Sequence, residues 1–186
     1  ANEAVAARRA GAEVVLAAAV GDDALGRQTL DLFRREGLDA THVRVVEGAA
    51  SGVALIFVGE DGENMIGVAS GANGRIEPDD VDRLPADLFR PGDVLLTGLE
   101  IPLPTVAAAL KRGREAGMIV ILNPAPAPTT ASSTVVDELL GAVDLVTPNR
   151  LEACALLGIS SRPEPDWADC ARRLMAKGPK GVVITL

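Results

Sequence analysis

The sequence predicts an α/β fold, in which a mostly parallel sheet is flanked by helices and a small β lid protrudes from it. Short apolar runs alternate with amphipathic helical stretches along most of the chain, and repeated β-then-α units build parallel sheets with helices on both faces. Residues 51–73 depart from this pattern, because two apolar runs follow each other there without a helix between them. We therefore expect one α/β domain over residues 1–186, with a β-lid segment at residues 43–70.

The first β-then-α unit lies near the beginning of the chain. The apolar run Val14–Val20 predicts a strand, and Ala24–Glu36 predicts an amphipathic helix with Phe33 on its apolar side. Gly37 ends this helix in the prediction. Asp23 stands just before it and is interpreted as its N-cap, since a carboxylate there accepts a hydrogen bond from the first turn.

The predicted lid begins with the strand Gly52–Val58, and Asp61-Gly62 is a strong hairpin turn signal. This strand is apolar on both faces, whereas a flap that merely covered a core would need only one apolar face. One face is therefore expected to meet a ligand and the other a partner. An antiparallel extension of the main sheet is the alternative.

The second half of the chain continues the alternation. The predicted strands are Val94–Leu96, Met118–Leu122, Val143–Val146 and Val182–Leu186, and the predicted helices are Thr105–Ala116, Val135–Leu140, Asn149–Leu157 and Asp166–Lys177. Ligands of such sheets bind at the carboxyl ends of the strands. The residues that follow each strand are therefore the first candidates for a functional site.

Glu100 is one such candidate, because it closely follows the strand Val94–Leu96. It lies between Leu99 and Ile101, so we expect it to be buried and to need partners, since burying an unpaired carboxylate is costly. Sugar hydroxyls are suitable donors to it. A salt bridge to a nearby arginine is the alternative.

The segment Thr147-Pro148-Asn149-Arg150-Leu151-Glu152 follows the strand Val143–Val146 and supports two compatible interpretations. Asn149 is a helix N-cap, and Glu152, three residues later, completes a capping box. A helix N-terminus at the carboxyl edge of a parallel sheet also attracts phosphate. A carboxylate there can hold Mg²⁺ through water.

Composition excludes several classes of function. The net charge is −8 without a basic patch, which argues against nucleic acid or an anionic membrane as partner. No stretch approaches the roughly 20 apolar residues of a membrane span. One histidine, His42, and two cysteines, Cys154 and Cys170, do not make an ordinary zinc site. His42 is more simply a loop residue than part of a catalytic triad. The cysteines indicate buried, reduced thiols of a cytoplasmic protein.

Several of these stretches together resemble the ribokinase family, the PfkB-type carbohydrate kinases. Ala1-Asn2-Glu3-Ala4, Gly11 and Gly21 have the spacing of the N-terminal signature of that family. The lid stretch 51–73 is more similar to ribokinases than to fructokinases or adenosine kinases. Asn123-Pro-Ala-Pro-Ala and Thr147-Pro-Asn-x-x-Glu152 follow in the expected order, so the resemblance covers the whole chain.

The resemblance implies a ribokinase-like fold and transfer of the γ-phosphoryl group of ATP to the 5-hydroxyl of D-ribose, with Mg²⁺ and, in the whole protein, a monovalent cation such as K⁺. It also implies a homodimer formed through the lids. The residues it implies are Asn2 and Glu100 on the sugar, Ala54 and Ile56 closing over it, Asn149 and Glu152 tied to Mg²⁺ and the phosphates, and Thr185 near the nucleotide.

The chain also departs from the pattern of the family. The Gly-Gly-Lys-Gly before the signature Asn and the later Gly-Ala-Gly-Asp motif with the catalytic Asp are absent. The resemblance thus implies an internal fragment that lacks both ends and has no catalytic residue of its own. Arg150 stands where a Glu is common in ribokinases. Another PfkB-type sugar kinase, such as a fructokinase, and a non-catalytic sugar-binding or dimerisation module remain as alternatives.

Overall fold

The computed structural model describes residues 1–59, 64–128 and 132–185. The chain forms two compact units, Ala1–Ile76 and Glu77–Leu186. Both units combine helices with β structure, and the strands other than those of one hairpin pair in parallel. The predicted α/β class, with mostly parallel strands, helices and a small separate β element, is confirmed.

The described part of the first unit contains two α-helices, a short parallel sheet and a hairpin. Its elements are α1 (Asn2–Arg9), β1 (Ala18–Gly21), α2 (Ala24–Arg35), β2 (Val43–Val46), β3 (Val53–Val58) and β4 (Asn64–Ala69). β1 and β2 pair in parallel from Ala18↔Val43 to Gly21↔Val46. β2 lies within the predicted lid segment, residues 43–70, but it pairs with β1, so the protruding element itself comprises only β3 and β4.

β3 and β4 form an antiparallel hairpin with its own two-stranded sheet, from Val53↔Ala69 to Val58↔Asn64. Within the described residues it does not extend either parallel sheet. Both of its faces are apolar and exposed, as the sequence predicts, with Ile56 61% and Phe57 63% exposed. The predicted turn at Asp61-Gly62 lies outside the described residues.

Helix α1 was not predicted from the apolar pattern. Its sequence, NEAVAARR, is rich in alanine, with an acidic residue, Glu3, in its first turn and two arginines in its last. Alanine favours helix most strongly among the residues, and this arrangement of charges complements the helix dipole. Because no residue of α1 is buried, the helix lacks the apolar stripe that sequence periodicity detects.

Among its described residues, the second unit contains a four-stranded parallel sheet and five α-helices. These elements are α3 (Pro78–Asp82), β5 (Val94–Thr97), α4 (Leu103–Glu115), β6 (Ile119–Leu122), α5 (Ser133–Gly141), β7 (Leu145–Val146), α6 (Arg150–Leu157), α7 (Trp167–Met175) and β8 (Gly181–Val182). The order of the strands in the sheet, β5-β6-β7-β8, is the order along the chain.

One face of this sheet carries the core of the unit. Alternate strand residues, such as Val120, Leu122 and Val146, pack with apolar residues of α4, α5, α6 and α7 in a single cluster. The opposite face is open among the described residues, with Val94 55% and Ile119 47% exposed. The sheet of this unit is therefore apolar on both faces, with one face buried in the core and the other exposed among the described residues.

β7 is shorter than the predicted strand Val143–Val146, because Asp144 takes over part of the pairing with its side chain. One carboxylate oxygen of Asp144 accepts a hydrogen bond from Val120 N at 2.8 Å, and the other contacts Lys180 Nζ at 2.7 Å. These interactions, the Lys180 hydrogen bond above all, lower the pKa of Asp144.

Neither unit contains, in its described part, a helix long and apolar enough to cross a bilayer.

Candidate functional site

The candidate site of the second unit lies at the carboxyl edge of its parallel sheet. Glu100 follows β5, Asn123 follows β6, residues 147–152 follow β7, and Thr185 follows β8. Backbone hydrogen bonds connect neighbouring loops: Leu99 N donates to Ala125 O at 2.9 Å, and Thr147 N donates to Leu122 O at 3.0 Å. The four strand ends thus form one continuous polar edge, where ligands of parallel sheets bind.

Asn149 and Glu152 form the predicted capping box at the beginning of α6. The side-chain oxygen of Asn149 accepts from Glu152 N at 2.9 Å, and Glu152 Oε2 accepts from Asn149 N at 2.8 Å. Glu152 is only 7% exposed. The box satisfies two backbone donors of the first turn and holds a nearly buried carboxylate at the positive end of a helix.

Thr185 joins this pair in space, although 33 residues separate it from Glu152 along the chain. It forms a parallel β-bridge with Asn149, and its N–H donates to Pro148 O at 3.0 Å. The structure therefore brings together three of the predicted residues: Asn149, Glu152 and Thr185. The helix N-terminus, the carboxylate and the hydroxyl-bearing residue form the polar end of the β7–β8 pair.

Glu100 lies on the same edge of the sheet, but the expectation that it is buried was wrong. Leu99 is 8% exposed and turns into the core, whereas Glu100 is exposed to solvent. Its side chain makes no ion pair or hydrogen bond within the part of the chain that the structure describes, so the alternative salt bridge is not formed there. A solvated carboxylate carries no burial cost, and its oxygens are available to a ligand.

The carboxylates of this edge do not form a metal cage by themselves. Across residues 1–59, 64–128 and 132–185, no three His, Cys, Asp or Glu side chains cluster as metal ligands do. Mg²⁺, however, keeps several waters and uses only one or two carboxylates together with substrate phosphates. Glu152, held by the capping box, fits such a water-mediated role, and it would act together with a bound phosphate.

The remaining predicted residues belong to the first unit. Asn2 is the first residue of α1 and is exposed, and its side chain makes no hydrogen bond among the described residues. Ala54 and Ile56 lie on one face of β3, opposite Val68 and Ile66 of β4, and both are exposed. Ala54 and Ile56 thus share a face of the hairpin, as the alternation of side chains along a strand requires.

Asp23 is the predicted N-cap of α2, and the structure adds a partner that sequence reasoning missed. Asp23 Oδ1 accepts from Gly26 N at 2.7 Å, and the same carboxylate binds Ser51, which is 7% exposed. The available signal was a serine just before an apolar strand, but a spacing of 28 residues gave no reason to pair it with Asp23.

His42 lies before β2, where its backbone oxygen accepts from Ala18 N.

The chain is similar to known proteins along its whole length. The chain is 38% identical to a ribokinase of Haemophilus influenzae and 33% identical to a deoxyribokinase of Salmonella typhi, over all 186 residues in both cases. The solved ribokinase of Giardia lamblia superposes with a TM-score of 0.84 at 26% identity, covering the whole chain and 57% of that protein.

The chain spans 59% of the length of those two curated relatives. The model of one protein family, the pfkB family of carbohydrate kinases, matches residues 1–186. Since that match extends over the entire sequence, the chain belongs to the pfkB carbohydrate kinase family.

Proposed function

We propose that the full-length protein transfers the γ-phosphoryl group of ATP to the 5-hydroxyl of D-ribose. The observation that carries this proposal is the polar edge of the second unit, where Asn149, Glu152 and Thr185 meet and where Glu100 offers a solvent-exposed carboxylate. The similarity to a ribokinase over the whole chain supports ribose as the sugar.

Glu100 is the proposed acceptor for ribose hydroxyl groups. A carboxylate that accepts hydroxyl donors forms charge-assisted hydrogen bonds, which are stronger than neutral ones. In the first unit, Asn2 is the proposed polar contact to sugar hydroxyls, and Ala54 and Ile56 are the proposed apolar contacts to the sugar. The exposure of Ala54 and Ile56 on one face of β3 supports this role, because no part of the unit that the structure describes buries them.

The N-terminus of α6 is the proposed phosphate end of the site. The backbone N–H groups of its first turn and the helix dipole favour an anion, and Asn149 and Thr185 border it. Glu152 is the proposed Mg²⁺ residue, acting through water. Mg²⁺, when bound, neutralises charge on the transferring phosphate. K⁺ as a further cofactor rests on the family resemblance alone, and we assign no residue of this chain to it.

No residue of this chain is proposed as the base that deprotonates the 5-hydroxyl. General-base catalysis needs a group within hydrogen-bond reach of that proton, and the acids at the edge have other proposed tasks. A cytoplasmic location is proposed because Cys154 and Cys170 are both buried and free, and unpaired thiols are typical of reducing compartments.

The test is ATP-dependent phosphorylation of a sugar panel by the purified full-length protein. We expect the highest kcat/KM for D-ribose, ahead of 2-deoxy-D-ribose, D-fructose and adenosine. The similarity to a deoxyribokinase makes 2-deoxy-D-ribose the most informative competitor, since it differs from ribose by a single hydroxyl. A higher kcat/KM for any other sugar would refute the assignment of ribose.

Replacing Glu100 by Ala tests the sugar site directly. A hydrogen bond to a charged group contributes about 1.5–3 kcal/mol, so we expect the KM for ribose to rise at least tenfold. The matched control is Glu115→Ala, which removes another exposed carboxylate at the end of α4. Equal KM values in the two variants would rule out the role of Glu100.

The partner that we propose for the hairpin is the hairpin of a second copy of the chain. On the face of β3 opposite Ala54 and Ile56, Leu55 and Phe57 are each at least 59% exposed, and Met65 of β4, which pairs with Phe57, is similarly open. Contiguous apolar surface of this kind marks an interface or an aggregation hazard. Phe57→Asp should yield monomers in sedimentation experiments, whereas Leu32→Asp, at an exposed site on α2, should leave the dimer intact. A monomeric wild-type protein at micromolar concentration would exclude the interface.

A further inference from the structure

The hairpin is joined to the rest of the first unit next to a buried residue at its base. Ser51, two residues before β3 begins, is only 7% exposed. Residues 54–58 of β3 are all exposed by contrast. The orientation of the hairpin is therefore set around Ser51 and not by packing along its strands.

Asp23 fixes this segment with one carboxylate. Its Oδ2 accepts from Ser51 N at 2.8 Å, and its Oδ1 accepts both from Ser51 Oγ at 2.7 Å and from Gly26 N at 2.7 Å. Ser51 Oγ in turn accepts from Gly21 N at 3.0 Å. The end of β1, the first turn of α2 and the entry to β3 are thus joined in one hydrogen-bonded network.

The strand that returns from the hairpin is fixed to the same short segment. Ala72 N donates to Ala50 O at 2.9 Å. A Cβ on Gly71, whose φ is +50°, would lie 2.5 Å from Ala50 O, so only glycine permits this close approach. Both ends of the hairpin are therefore held at Ala50 and Ser51, and Asp23 is the side chain that ties this point to α2.

We infer that Asp23 is a positioning residue for the sugar site: through Ser51 it holds β3 in the orientation in which Ala54 and Ile56 contact the sugar. This inference rests on the function proposed above. Asp23 itself touches neither substrate in this scheme. Loss of its bonds to Ser51 would spread the hairpin over more orientations, and apparent affinity falls in proportion to the fraction of molecules in the competent one.

The first test is Asp23→Asn in the full-length protein. The amide oxygen still caps Gly26 N, whereas the amide nitrogen cannot accept from Ser51 N. If one molecule in about ten keeps the competent orientation, the KM for D-ribose rises about tenfold while the KM for ATP stays within about twofold. Asp166→Asn is the matched control, since Asp166 caps α7 with two similar backbone bonds and lies outside the first unit.

A KM for ribose in Asp23→Asn that equals the value for Asp166→Asn would overturn the inference. An equal rise in the KM for ATP would also overturn it, because a merely structural loss would affect both substrates. Ser51→Ala provides a second route if Asp23→Asn fails to fold, since it removes the bonds of Ser51 Oγ and keeps the bond from Ser51 N. It should raise the KM for ribose by less than Asp23→Asn does.

Hydrogen exchange of the Val53–Val58 amides gives a measurement that does not depend on catalysis. Without sugar, these amides should exchange faster in Asp23→Asn than in the wild type, and at the wild-type rate in Asp166→Asn. Unchanged exchange in Asp23→Asn would refute the anchoring role whatever the enzyme phosphorylates. Faster exchange in a protein whose wild type does not phosphorylate ribose would refute the proposed function and leave the anchor established.

Discussion

The N-termini of α2 and α6 share the same kind of N-cap, but their further hydrogen bonds differ in how far they reach along the chain. Each has an oxygen-bearing side chain at the N-cap, Asp23 or Asn149, that accepts from a backbone N–H three residues later. At α6 the reciprocal bond comes from Glu152, within the same turn. At α2 the remaining bonds come from Ser51, 28 residues away. One cap closes on itself, and the other joins distant parts of the chain.

This difference shows how a local motif acquires a long-range role. A capping box needs only residues at positions 1 and 4 of a helix start, so it can form wherever that helix forms. The carboxylate of Asp23 has more acceptor sites than a single cap uses, and the buried Ser51 donates hydrogen bonds to the remaining ones. The α2 cap is therefore a tertiary connection, whereas the α6 cap leaves its helix N-terminus directed to the candidate phosphate site.

The largest effect on stability is expected from adding a side-chain carbon at Gly26, in the first turn of α2. A Cβ on Gly26 would overlap the carbonyl oxygen of Gly21, so Gly26→Ala should lower the free energy of unfolding by about 3 kcal/mol. The control is Gly141→Ala, at a helical glycine whose added Cβ meets nothing within 4 Å. It should stabilise by about 0.5–1 kcal/mol. Chemical denaturation measures both, and equal effects would contradict the close approach.

Serine substitution at the two N-caps sharpens the comparison itself. Serine is as good an N-cap as asparagine, so Asn149→Ser should change the free energy of unfolding by less than about 0.5 kcal/mol. Asp23→Ser should be more destabilising, because one hydroxyl cannot cap Gly26 N and also accept both bonds from Ser51. Thermal and denaturant unfolding of the two variants, measured side by side, test this difference. Equal free energies of unfolding for Asn149→Ser and Asp23→Ser would contradict it.

The smallest effect is the pH dependence that Asp23 contributes to the stability of the fold. Hydrogen bonds from Ser51 N, Gly26 N and Ser51 Oγ, with a smaller contribution from Arg27, lower the pKa of Asp23 to about 2. A folded-state pKa below the unfolded value of 3.8 means that the stabilisation is complete above about pH 4. It is lost as the pH falls through about 2.

The stability difference between wild type and Asp23→Asn should therefore shrink between pH 4 and pH 2. Taking the difference removes, to first order, the contribution of other titrating groups, among them Asp22, which pairs with Arg27. A difference that stays constant over this interval would show that the carboxylate charge of Asp23 does not carry the network.

The sequence by itself determined most of what depends on neighbours along the chain. The alternation of apolar runs and amphipathic stretches predicted the α/β class, and the caps at Asp23 and Asn149 were predicted because capping is a relation within one turn. The order of strand and loop placed Glu100, Asn149 and Glu152 at one edge of a sheet. The exposed helix α1 escaped prediction because it has no apolar stripe.

Only the tertiary structure decided what depends on residues far apart. It brought Thr185 beside Asn149 and Ser51 beside Asp23, and it paired β2 with β1 instead of with the hairpin. It also left Glu100 in solvent although apolar residues flank it, because Leu99 and Ile101 pack against the core while Glu100 does not. The physical reason is that burial and long-range hydrogen bonds depend on which surfaces meet, and no periodicity or spacing in the sequence encodes that directly.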